Sequence, residues 1–213
     1  MLAGIKMEDT RKRPRGRPLS FDKDEVLDAA VLVFWEKGFD GASVEDLTQA
    51  MGINRPSLYS TFGSKKDLFF LAIDRYASTH GQRTFAPLQL ETDNRTAVRA
   101  FFAATIECAL DSDTPRGCLI NTVATGAAEN DPALRTKLSA MFSRTDEAIA
   151  GQLRRESSTA IDVEDLARIA HSVNHSIMTR ARAGASRSEL NAVAKAFMEI
   201  LFPAPTNDTT PAI

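Results

Sequence analysis

Side chains able to do chemistry gather at a few places in this chain. The densest group is Arg55, Ser57, Tyr59, Ser60 and Thr61, whose donors suit phosphate oxygens or base edges. Lys65 and Lys66 follow in what reads as the first turn of a helix, where cations oppose the macrodipole. A bound phosphate would reverse that sign, because the free N–H groups and both ammoniums attract the same anion. Two solvated lysines are the plainer alternative. Nearer the start, Arg15 and Arg17 flank Gly16 between Pro14 and Pro18, an extended strip that fits a narrow, electronegative minor groove. Its plainer alternative is a solvated basic tail. Cys118 follows Gly117 near a helix start marked by Pro115, and is either a sensing thiol or a small buried apolar residue. His171 and His175 share a helix face, yet no third ligand is evident and Ser172 stands where a zinc protease carries glutamate. No metal site is expected. No nucleophile–base pair, carboxylate pair or glycine-rich phosphate loop stands out, so neither enzymatic activity nor a cofactor is expected.

The polar group has a defined scaffold. Ser43 is a good N-cap with Asp46 at the third helical position, a serine-to-acid capping box, and Leu47 and Ala50 share one face of the helix that follows. Gly52 falls where that helix must stop, since a left-handed cap favours glycine. Asn54 caps a second short helix, and Pro56 in its first turn gives up no useful N–H. Leu58 and Phe62 leave this helix only a narrow apolar stripe. An αα-hairpin of any helical domain fits this pattern as well as a helix-turn-helix does, and the basic flanks decide for the latter. A helix before it starts at Asp22, with Glu25 placed to close a capping box and Phe21 to staple onto Val26. Val26, Leu27, Ala30, Val33 and Phe34 form its buried stripe, and Gly38 ends it. Ser64 and Asp67 cap a fourth helix running to about Ser78.

Charge is unevenly spread. The net charge is −2, but residues 11–18 hold five basic residues and no acid, whereas beyond residue 80 there are 14 basic and 16 acidic residues. Local basic clusters near the N-terminus are therefore the electrostatic footprint. No long apolar run indicates a membrane span, and no secretory stretch opens the chain, so the expected compartment is the cytoplasm. Cys108 and Cys118 match neither a disulfide framework nor a zinc motif, which fits reduced thiols.

Residues 22–76, DEVLDAAVLVFWEKGFDGASVEDLTQAMGINRPSLYSTFGSKKDLFFLAIDRY, resemble the DNA-binding domain of the TetR family of ligand-responsive transcriptional regulators, with LYSTFGSKKDL as the most specific core. The PRGRP segment in turn resembles an AT-hook. The family resemblance implies an all-α homodimer, with a three-helix DNA-binding domain followed by a helical ligand-binding and dimerisation domain, about nine helices in all. It implies phosphate contacts at Ser43, Tyr59 and Lys65 and groove contacts from Arg55, Pro56, Ser57 and Ser60. Pro56 departs from the small residue common there. The expected division is a disordered basic arm over 1–18, the helix-turn-helix domain over 19–80, the second domain over 81–203 and a disordered tail over 204–213.

The second domain is less explicit. Gly81 to Asn94 contains Pro87 and reads as a linker. Asn94 to about Leu110 is a helix with Val98, Phe101, Phe102, Thr105, Ile106 and Ala109 inward. A further helix opens at Pro115–Thr122, and a long one runs from Asp131 to about Arg155 on Leu134, Leu138, Met141, Phe142, Ile149 and Leu153. The last two helices, 162–182 and 188–202, form the dimer interface by resemblance. The family architecture also implies a ligand pocket, with Phe102, Ile106, Asn121 and Thr125 as candidates for its lining. Met141, Phe142, Thr145 and Met178 complete that set, joined by Cys118 and, for polar contact there or at the dimer seam, by His171 and His175 with Asn174. The expected partners are a double-stranded DNA operator, a small-molecule or electrophile inducer and a second copy of the chain. An architectural binder of A·T-rich DNA, led by the arm, is the competing reading.

Overall fold

The computed structural model describes residues 21–91, 93–155 and 161–203, and all regular structure among them is helical. In chain order the helices are α1 (Lys23–Gly41), α2 (Val44–Met51), α3 (Arg55–Phe62), α4 (Lys65–Tyr76) and α5 (Gln82–Leu90). They continue with α6 (Asn94–Ala109), the one-turn α7 (Thr125–Ala127), α8 (Pro132–Leu153), α9 (Val163–Arg182) and α10 (Arg187–Leu201). Nine of these have at least eight residues, which matches the all-α expectation. The arm carrying Arg15 and Arg17 and the tail from residue 204 lie outside the described residues.

Local signals account for most helix ends. Asp22 accepts from the N–H groups of Asp24 and Glu25, at 2.7 and 3.3 Å, but Glu25 returns no bond among the described residues, so the expected box is half formed. Phe21 stacks on Phe62 with ring centroids 6.5 Å apart, tying the start of α1 to the end of α3. The helix breaks at Gly38 before a last short turn. Ser43 and Asp46 form the reciprocal capping box of α2, and Gly52 takes the left-handed conformation at its end, with φ 64°. Asn54 Oδ1 accepts from Ser57 N–H at 2.8 Å and so starts α3. Ser64 and Asp67 repeat the box at α4.

The first four helices close over Phe34, Trp35, Leu47, Leu58, Leu68 and Phe69, each no more than 1% exposed. Truncating one of these leucines to alanine would cost about 2–5 kcal/mol. Arg75 on α4 reaches back to α1 through paired bonds to Asp28 at 2.6 and 2.7 Å and one to Asp24 at 2.9 Å.

The expected linker is absent. After Tyr76 the helix widens into a π-helical stretch, Ala77–Gly81, and runs on into α5. Pro87 is accommodated because it sits in the last turn of α5, where only one helical bond is lost. The division expected at residue 80 thus falls inside a continuous helix. A second π-helical stretch, Ile120–Ala124, precedes α7. The helices from α5 onward pack as a bundle whose core continues that of the first four. Polar contacts also fasten the two parts, among them Lys66 with Asp131 at 2.8 Å, Lys137 with Asp74, and the Arg182 guanidinium with the Glu36 carbonyl at 3.2 Å. Phe70 lies between the two lysines, 5.8 Å from each ammonium.

Candidate nucleic-acid interface and interior cavity

α3 has two unlike faces because its eight residues offer only Leu58 and Phe62 to the core, both buried. Arg55, Pro56, Tyr59 and Ser60 are exposed on the rest of its surface, with Tyr59 at 51%, while Ser57 is half-buried. The Tyr59 ring is left half in water, and its hydroxyl has no hydrogen-bond partner among the described residues, which leaves it open to an acceptor. Ser60 donates to the Ser57 carbonyl at 3.2 Å. Arg55 pairs with Glu45 of α2, an exposed ion pair that costs little to exchange for a phosphate. Ser43 and Asn54 both spend their side chains on capping.

The two lysines of α4 are less free than their spacing suggests. Lys65 is half-buried and donates to the Ala42 carbonyl at 2.8 Å, its ammonium 4.6 Å above the Phe39 ring. Its remaining N–H groups are the ones open to a further acceptor. Lys66 holds Asp131, the N-cap residue of α8. Each ammonium therefore has an intramolecular partner at the start of α4, which also offsets the unfavourable dipole.

A cavity of about 380 Å³ opens between the α4–α5 rod, the segment around Cys118, α8 and α9. Cys118, Asn121, Met141, Phe142, Thr145 and Met178 line it, as the sequence suggests. The other four candidates do not. Phe102 turns the opposite way, its ring edge-on to Phe197 of α10 with centroids 5.6 Å apart. Ile106 is buried in the core between helices at 2% exposure. Thr125 is exposed and spends its hydroxyl on the Asn121 carbonyl, one turn back, at 3.0 Å. His175 lies one layer behind, packed on Phe142 and His171. In its place His171 and Asn174, on the adjacent positions of α9, meet the cavity. Tyr76, Phe85, Gln82 and Arg144 are lining residues that sequence reasoning missed. Phe85 and Leu88 are three apart with Thr84 beside them, a weak helical signal that Pro87 obscured.

Gly117 makes the wall around Cys118 possible. Its φ is 88°, and a Cβ there would come within 2.8 Å of the Met178 carbonyl, so the chain can press onto α9 only with glycine. Cys118 then stands 8% exposed, beside the Tyr76 hydroxyl. Burial pushes its thiol up from the ordinary value, against the lowering influence of Tyr76 and of the Asn121 and Ile120 N–H groups. Burial outweighs the helix start, and the thiol stays protonated at neutral pH. His171 Nδ1 is 2.6 Å from Asp146 Oδ1. His175 is held down to about 4, first by burial and then by the neighbouring His171, so it is neutral.

Comparison with known proteins follows the same two-part layout. Residues 26–72 match the family model described as bacterial regulatory proteins, tetR family, and residues 95–196 match the C-terminal domain of LmrA/YxaF-like transcriptional regulators. The HTH-type transcriptional repressor ComR of Escherichia coli K12 is 34% identical over 189 residues, spanning 86% of this chain and 90% of that protein. BdcR, an HTH-type transcriptional repressor of the same organism, is 35% identical over 129 residues, 59% of this chain and 64% of its own length. A solved structure of the TetR family regulator CifR, a cysteine mutant complexed with 26-base-pair operator DNA, superposes with a TM-score of 0.79 at 32% identity, covering 86% of this chain and 98% of that one. Likeness of this degree runs through the helix-turn-helix and the cavity-bearing bundle alike, and the chain belongs to the TetR family of transcriptional regulators.

Proposed function

We propose that this protein is a homodimeric, operator-binding repressor released by a small molecule. The observation that carries this reading is α3: a short helix with Arg55, Pro56, Tyr59 and Ser60 outward and only Leu58 and Phe62 committed to the core. Each subunit would lay α3 in a major groove, with Ser43, Tyr59 and Lys65 toward phosphates and Arg55, Pro56, Ser57 and Ser60 toward base edges. Asn54 and Lys66 flank that surface, and Arg15 and Arg17 of the arm would enter the adjacent minor groove. CifR, similar over most of both chains, was solved on its operator DNA, which supports the same use of this domain here. The relatives ComR and BdcR are named as repressors, which supports the sign.

The cavity is the effector site on this reading. Its walls include residues of both π-helical stretches, Ala77 and Gly81 on one side and Ile120 and Asn121 on the other. Widened helical turns are frequent at functional sites, and a ligand that favours one packing of them over another would shift the population of DNA-competent dimers. The Ile120–Ala124 stretch leads within a few residues to Asp131, which holds Lys66 at the start of α4.

Selection of bound sequences from a random duplex library at two salt concentrations tests the first part. An enriched inverted repeat is expected, with affinity falling steeply in salt. Replacing Tyr59 and Lys65 together by alanine should then cost at least tenfold in affinity for that repeat. Enrichment of A·T tracts without two-fold symmetry, unaffected by the double substitution, would overturn the reading in favour of an arm-led architectural binder.

A further inference from the structure

The charge around the cavity is one-sided. Of the side chains lining it, Arg144 carries a full charge, and no aspartate, glutamate or lysine is among them. Arg144 is exposed, and no carboxylate among the described residues lies within ion-pair distance of it. Other arginines of the bundle differ: Arg154 holds Glu147 and Glu164, Arg168 holds Asp165, and Arg187 holds Glu107. An unpaired guanidinium at the lip of an apolar cavity has its five donors available to an incoming group. His171 adds a second polar group. Its Nδ1 is committed to Asp146, which is not a lining residue, so Nε2 is the ring nitrogen left for a ligand.

Neutral polar side chains and apolar ones make up the rest of the lining. Phe85, Met141, Phe142 and Met178 present rings and thioethers, which adapt to an irregular hydrocarbon body. A cavity of about 380 Å³ is at the small end of the range for ligand sites. One free guanidinium answers one carboxylate rather than a polyphosphate, and no carboxylate in the lining answers a cation.

We propose that this cavity takes an organic monoanion, with an apolar body against Phe85, Met141, Phe142 and Met178 and its carboxylate on the Arg144 guanidinium. This rests on the reading of the cavity as the effector site. The buried, protonated Cys118 thiol at the wall makes the resting state a reversible, non-covalent binder of such a ligand rather than a thiolate awaiting an electrophile.

The test compares three probes of one shape: 4-phenylbutanoate, 4-phenylbutan-1-ol and 4-phenylbutan-1-amine. Trp35 is the only tryptophan in the chain and stands edge-on to Tyr76, a lining residue, with centroids 4.9 Å apart, so its emission reports on the cavity. Titrations of the full chain by fluorescence and calorimetry should show the carboxylate binding at least tenfold more tightly than the alcohol, and the amine more weakly than both. Arg144→Gln should bring the carboxylate to the level of the alcohol while leaving the alcohol unchanged, a readout that loss of folding could not mimic. Equal binding of alcohol and carboxylate, or indifference of the carboxylate to Arg144→Gln, would overturn the anion assignment and leave an effector site for neutral ligands. Failure of all three probes to bind or to shift the melting temperature at millimolar concentration would overturn the effector reading as well.

Discussion

His175 is wedged between Phe142 and His171, with ring centroids 5.1 and 4.4 Å away, and its Nε2 has no hydrogen-bond partner among the described residues. Burial and the neighbouring imidazole hold its pKa at about 4 against an ordinary 6.5. Between those values the unfolded chain binds a proton that the folded chain refuses, so stability falls as pH drops through that window and is level above it. The contribution is on the order of 2 kcal/mol after discounting for solvent screening at a partly exposed ring. His80 is lowered too, mainly by burial and then by Arg83, and acts in the same direction. Asp46 does not share the window: its carboxylate is held at about 2 by Lys37 and the Ser43 cap, so its contribution is complete above the ordinary 3.8 and is lost only below it. Melting temperatures from pH 7.5 to 4.5 should therefore decline in the wild type and decline less in His175→Gln, the remaining slope belonging to His80 and, at the acid end, to the lowered Glu147, Glu164 and Glu189. Parallel curves would mean that His175 takes its proton in the folded state. Nothing in the sequence indicated this. The spacing of His171 and His175 placed both rings on one helix face without distinguishing them, whereas one ring lies against a carboxylate and the other has no hydrogen-bond partner among the described residues.

At the scale of elements, the tight junction of the Cys118 segment with α9 depends on Gly117. Alanine there would need a left-handed φ and would drive Cβ to 2.8 Å from the Met178 carbonyl, which is backbone and cannot swing away. Gly117→Ala should cost about 3 kcal/mol or more in chemical denaturation. Gly126 is the control, since it lies in α7 and a Cβ added to it would meet nothing within 4 Å. Gly126→Ala should gain about 0.5 kcal/mol through the unfolded state. Equal losses at the two sites would remove the close-approach argument. Elements with strong caps and clean periodicity were legible from sequence: Ser43, Asn54, Ser64 and Asp131 all cap the helices expected of them. The α6 stripe from Val98 to Ala109 is buried throughout. In α8 the stripe was legible but its purpose was not: Leu134, Leu138, Ile149 and Leu153 are buried, while Met141 and Phe142 stay half-buried because they face the cavity. The α4–α5 rod escaped because a proline and a run of polar residues look the same in a linker as in a helix that borders a cavity. A π-helical turn has no propensity signature of its own.

For the whole molecule, the decisive expectation is that two copies associate through α9 and α10, and the structure changes which residues should be tested. Of the stripe that periodicity picks out on α10, Leu190, Val193, Ala194, Phe197 and Leu201, all but Val193 are buried within the subunit, Phe197 against Phe102. The buried ones are not available to a partner. The outward faces carry a second, thinner set: Ile169, 46% exposed, with half-buried Val173 one turn on in α9, and half-buried Val193 with Ile200, 74% exposed, two turns apart in α10. Four apolar residues on adjoining helices are what a four-helix dimer seam requires, with polar neighbours at its rim. A glutamate at Ile169 would leave the subunit intact, because the side chain already meets water, but would bury an unpaired carboxylate if the face closes on a second copy. Sedimentation velocity should show a dimer for the wild type and a predominant monomer for Ile169→Glu, with unchanged helical circular dichroism. Operator affinity should fall by about a hundredfold or more, since two half-sites are then engaged independently rather than through one linked pair of α3 helices. A variant that remains dimeric with full operator affinity would place the seam elsewhere. Should the variant stay dimeric yet lose the operator, Ile169 would instead set the angle between subunits, and with it the spacing of the two recognition helices.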